Sequence, residues 1–97
     1  MKVTATRVIE TCLDGTKTVE KELDRPMDRK FIYQLAELGD LEYFSEFACP
    51  FFRITRPGAF IIKGVEGGRS FEVFIISPQS DPDREITAII ARTKTVY

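Results

Sequence analysis

The stretch Phe51–Ile76, FFRITRPGAFIIKGVEGGRSFEVFII, decides the fold. Three apolar runs are cut by two glycine-containing breaks, and five of the chain's eight Phe lie within it. This pattern predicts a three-stranded antiparallel meander. The first break, Arg56-Pro57-Gly58-Ala59, has type II turn chemistry: proline presets φ at the second position and glycine accepts a positive φ at the third. The second break, Glu66-Gly67-Gly68-Arg69, suits a two-residue type I′ hairpin.

With two loop residues in each turn, Ile54 faces Ile61, Ile61 faces Phe74, Ile62 faces Val73, Phe60 faces Ile75, and Lys63 faces Glu72. A type II turn matches strand twist poorly in a two-residue hairpin, so a longer first loop stays open. One extra residue there turns a whole strand over. In the two-residue register, one face carries Phe52, Ile54, Ala59, Ile61, Phe74 and Ile76. The other carries Phe51, Phe60, Ile62, Phe71, Val73 and Ile75. Both are apolar, unlike a sheet with one wet face. Each buried large apolar side chain stabilises by roughly 1.5–3 kcal/mol, so something is expected to cover each face.

Working outward, Lys2–Cys12 and Thr16–Leu23 have strand composition around Leu13-Asp14-Gly15. A three-residue loop, Leu13–Gly15, places Gly15 in the left-handed position of a bulged hairpin. It pairs Ile9 with Val19 and Ala5 with Leu23, and sets Arg7 against Lys21, a like-charge pair. The hairpin's apolar face is then Val3, Ala5, Ile9, Val19 and Leu23, and its other face is wet. Pro26 follows as a helix start signal. Met27, Phe31, Leu35 and Leu38 recur at helical spacing up to Gly39, which predicts a helix over 26–38 with Gly39 as its left-handed stop. Residues 40–50, DLEYFSEFACP, fit either a short helical turn or a strand, and are read as a partly buried connector. Asp81-Pro82-Asp83 predicts a capped helix over 82–92, with Arg92 and Lys94 suiting its C-terminal end and an extended tail beyond.

The expected architecture is a single two-layer α+β domain spanning 1–97, with the order ββαβββα. Helix 26–38 covers one sheet face. Helix 82–92, the connector, or a second subunit covers the other.

The chain has 97 residues, 43% hydrophobic and 30% charged, with a net charge of −1. These values suit a globular domain with one core. A near-neutral balance argues against general nucleic-acid binding. The absence of an apolar signal core and of any membrane-length run, together with two widely separated cysteines, Cys12 and Cys49, predicts a cytoplasmic protein with reduced thiols.

There is no histidine, so imidazole bases and most zinc ligand sets are missing. No metal, cofactor or catalytic residue is expected, and the balance leans away from an enzyme. Cys49, before a proline among aromatics, reads as a buried inert thiol. Glu20 and Glu22 read as solvated carboxylates. Gly64-Val65-Glu66-Gly67-Gly68 lacks the Gly-Lys-Ser/Thr that follows in a phosphate loop, so it reads as a hairpin turn.

Two functional expectations remain. The first is association, as a homodimer or with a partner protein, through Phe51, Phe60, Ile62, Phe71, Val73 and Ile75. The second is binding of a small anionic ligand by Arg53, Arg56, Lys63 and Arg69 around the sheet. By parity, Arg53 and Lys63 lie on opposite faces.

Overall fold

The computed structural model describes residues 2–77 and 81–93, the last two by backbone alone. The elements are β1 (Val3–Thr11), β2 (Lys17–Leu23), α1 (Arg29–Leu35) with a 3₁₀ turn at Ala36–Leu38, β3 (Asp40–Phe44), β4 (Phe51–Arg56), β5 (Phe60–Val65), β6 (Ser70–Ile75) and α2 (Pro82–Thr93). The class is α+β, but the order is ββαββββα, not ββαβββα. The extra strand comes from the connector: Leu41 and Tyr43 alternate inward, and Asp40–Phe44 pairs along β4. All six strands form one antiparallel sheet in the order β1-β2-β6-β5-β4-β3.

The meander forms where expected, and its second hairpin has the expected register: Phe60 faces Ile75, Ile62 faces Val73, and Lys63 faces Glu72. That turn is not the two-residue Gly67-Gly68 loop. It closes from Gly68 N–H to Val65 C=O at 2.9 Å, and residues 66–69 make the connection. Two more loop residues leave side-chain parity unchanged.

The first hairpin differs. Gly58 takes a positive φ of 74°, as a type II turn needs, and Ala59 N–H donates to Arg56 C=O. Ala59 is an additional loop residue, so Arg56 pairs with Phe60. This single residue inverts β4. Ile54 pairs with Ile62, not Ile61, and Phe52 and Ile54 join Phe60, Ile62, Phe71, Val73 and Ile75 on one face. The reading of both faces as apolar is thereby corrected. One face is almost wholly apolar, and the other alternates apolar with charged.

Both helices cover the apolar face. Phe31, Ile32 and Leu35 of α1 and Ile86, Ile89 and Ile90 of α2 share one buried cluster with Phe52, Ile54, Phe60, Ile62, Phe71 and Val73. α1 is shorter than expected. Pro26 precedes it, and Asp28 caps it by accepting from Phe31 N–H at 2.8 Å. Gly39 is not a left-handed stop: its φ is 178°. Its need for glycine is steric, since a Cβ would lie 2.5 Å from the Thr55 carbonyl oxygen. α2 forms as expected, with Asp81 accepting from Arg84 N–H at 3.2 Å. The expected tail beyond Thr93, including Lys94, lies outside the described residues.

The N-terminal hairpin keeps the predicted register only at its turn. Cys12 N–H donates to Thr16 C=O, and Gly15 has φ 93°. A bulge at Ile9 then shifts β1 by one residue, so Val8 faces Val19 and Arg7 faces Glu20. A second irregularity before Ala5 sets Val3 against Leu23. The bulge thus replaces the like-charge Arg7–Lys21 pair with an attractive one. It also leaves Ile9 exposed instead of on the apolar face. The hairpin joins the meander by pairing β2 with β6, Lys17 opposite Ile75 through Glu22 opposite Ser70.

Candidate interaction surface

The face of the sheet away from the helices has no covering layer among the described residues. Its side chains follow from register. Phe44, Phe51 and Val65 lie along one row, Thr55, Ile61, Phe74 and Thr18 along another, and a charged row runs between them. Phe51 and Val65 are 38% and 44% exposed, while Ile61 and Phe74 are half-buried. Phe51 stacks on Phe44 with ring centroids 4.6 Å apart and meets Phe47 at 5.3 Å. A shallow groove of about 590 Å³ runs across this face beside Phe44, Phe51, Arg53, Lys63, Val65 and Glu72.

The six side chains expected to form an interface are split by the fold. Phe60, Ile62, Phe71 and Val73 are at most 1% exposed beneath the helices, so they offer no surface to a partner. Ile75 is half-buried at the end of the same face. Phe51 alone of the six lies on the open face.

The four basic residues are split as well. Arg53 and Lys63 are not on opposite faces; the inverted β4 sets them directly opposite each other on the open face. Arg56 lies on the helix side, where its Nη1 ion-pairs with Glu85 of α2 and its guanidinium sits 5.2 Å from the Phe60 ring centroid. Arg69 is exposed in the β5–β6 connection. The four do not form one cation cluster.

The charged row extends beyond them. Arg7 bonds Glu22 at 2.8 Å and also pairs with Glu20. Glu42 accepts from Arg53 Nε at 2.9 Å and Nη2 at 2.7 Å. The Glu22 carboxyl is held below its usual range, first by the hydrogen bond from Arg7 and then by its charge. Glu20 and Glu22, solvated carboxylates by the sequence pattern, carry no local signal that links them to Lys63 or Arg53. The non-local β2–β6 pairing brings Glu20 into line with Glu72, Lys63 and Arg53, while Glu22 falls opposite Ser70.

A second hollow, of about 400 Å³, lies between the hairpin and the start of α2, beside Val8, Val19, Ile75, Ile86, Lys21 and Asp83. Lys21 is 6% exposed. Its Nζ meets the Asp83 carboxylate and reaches Thr6 Oγ1 at 3.3 Å, so its charge is answered within the chain. This arrangement tethers α2 to the sheet. Among the described residues, no three potential metal-ligating side chains gather. Cys12 is half-buried. Cys49, expected to be buried, is exposed, because it lies in the β3–β4 connection, where residues 45–49 are all exposed. No described helix is long and apolar enough to cross a membrane.

Fold and site together define a class: an α+β domain with a helix-backed six-stranded sheet whose second face is amphipathic. No protein-family model, curated protein or solved structure matches the chain.

Proposed function

We propose that the chain acts by association, presenting the open sheet face to a protein surface that carries charges of both signs flanked by apolar side chains. The observation that supports this reading is the composition of the face. Phe51, Ile61, Val65 and Phe74 flank a row that holds as many acids as bases. Protein interfaces combine apolar anchors with a mixed polar complement. A nucleic-acid surface would need a basic excess, and Glu20, Glu42 and Glu72 oppose it. A small anion would need converging cations, and Arg53 is already engaged by Glu42.

A photo-crosslinking residue at Val65 tests the reading in the cells that make the protein. Protein adducts should form from Val65 and not from Ala88, an exposed position on α2. Adducts to nucleic acid, or none from Val65, would exclude protein association through this face.

A further inference from the structure

One row of the open face crosses all six strands, and every member is charged. In sheet order it runs Arg7, Glu20, Glu72, Lys63, Arg53, Glu42. The signs are plus, minus, minus, plus, plus, minus. Glu20 lies directly opposite Glu72, and Lys63 directly opposite Arg53. Like charges set opposite each other destabilise a sheet, so the fold carries two such pairs side by side. Arg7 and Glu42 relieve the two ends. At the centre, Lys63 and Glu72 face each other across β5 and β6, yet both are exposed, and among the described residues neither closes an ion pair.

Read backwards, the row gives the opposite sign at every position. From this we infer that the partner on the open face is a second copy of this chain, related by a two-fold axis lying between the sheets, parallel to the strands and passing between β5 and β6. The inference rests on the association reading above and names its partner. Such an axis lays β6 over the partner's β5, and β2 over the partner's β4. Glu72 then meets the partner's Lys63, and Glu20 meets the partner's Arg53, each twice by symmetry. In the neighbouring row, Phe74 meets the partner's Ile61, and Thr18 meets the partner's Thr55. Glu22 falls near the partner's Phe51, the poorest match of the central strands, and keeps its own Arg7.

The alternative in-plane axis, perpendicular to the strands, sets every charge against its own copy and is disfavoured at all six positions. Face-to-face sheets cross at about 30°. The match is therefore tightest on β2, β6, β5 and β4, and the outer strands diverge.

Charge reversal tests this directly. K63E leaves only acids at the two central positions, and E72K leaves only bases. Both sites are exposed, and circular dichroism should show both variants folded. Each variant alone should self-associate more than about tenfold more weakly than the unaltered chain, because juxtaposed like charges across an interface cost several kcal/mol. An equimolar mixture should form a one-to-one heterodimer by native mass spectrometry and sedimentation velocity. An unaltered chain that stays monomeric at high concentration, or a mixture that does not pair, overturns the inference. If Val65 adducts then contain a different protein, association through the face survives and self-pairing falls.

Discussion

Both faces of the sheet carry large apolar side chains along the meander, but the two sets have different fates. Under the helices, Phe52, Ile54, Phe60, Ile62, Phe71 and Val73 follow one another with hardly a charge among them, and all are at most 1% exposed. On the open face, Phe51, Ile61, Val65 and Phe74 are separated by Arg53, Lys63 and Glu72, and all keep contact with solvent. Apolar residues alone do not make a core. The uninterrupted face excludes water and drives folding. The interrupted face keeps enough charge to stay hydrated, and enough ring and branched surface to gain by meeting another protein.

The sharpest way to break this contrast is to truncate one phenylalanine on each side. Phe60→Ala should destabilise the fold by about 3–5 kcal/mol, since it opens a cavity beneath both helices. Phe51→Ala should cost only about 1 kcal/mol, the scale of its contacts with Phe44 and Phe47. Urea unfolding of dilute protein measures both. Equal losses would mean that the open face belongs to the core.

Two arginines sharpen the same comparison at smaller scale. Arg56→Ala removes the partly exposed pair with Glu85 that ties α2 to the sheet, and should cost about 1 kcal/mol. Arg53→Ala should change monomer stability by less than about 0.5 kcal/mol, yet weaken association. Thermal melts and sedimentation on the same samples separate the two effects.

The smallest effect concerns acid. Glu22 is held below the usual carboxylate range chiefly by the Arg7 hydrogen bond, Asp24 by the Lys2 backbone N–H, and Asp14 by the Thr16 N–H and hydroxyl. A lowered folded-state pKa gives stability that is complete above the unfolded value, near about 4, and is lost as pH falls through the folded value. The melting temperature should therefore drop below about pH 4. Arg7→Ala should shallow that drop by removing the open-face contribution of Glu22.

Local chemistry was legible where it acts over a few residues. Proline and glycine at 57 and 58 marked their turn, Asp81-Pro82 marked the start of α2, and the apolar runs of β4, β5 and β6 marked the strands. Register was harder. Ala59 counts as strand or loop depending on what it packs against, and that one choice inverted β4, moving Arg53 beside Lys63 and Phe52 into the core. Likewise, Arg7 facing Lys21 was the weak point of the expected hairpin, and the bulge at Ile9 removes it. Nothing within residues 40–44 distinguishes strand from helical turn. The free edge of β4 makes the strand.

By itself, then, the sequence determined the class of every element but β3 and where the chain turns, because backbone preferences of Gly, Pro, Asp and β-branched residues are local. The tertiary structure alone decided which apolar residues became core and which stayed on the open face. It also assembled the charged row, since that row draws one residue from each of six strands, and their alignment depends on long-range pairing that no short window encodes.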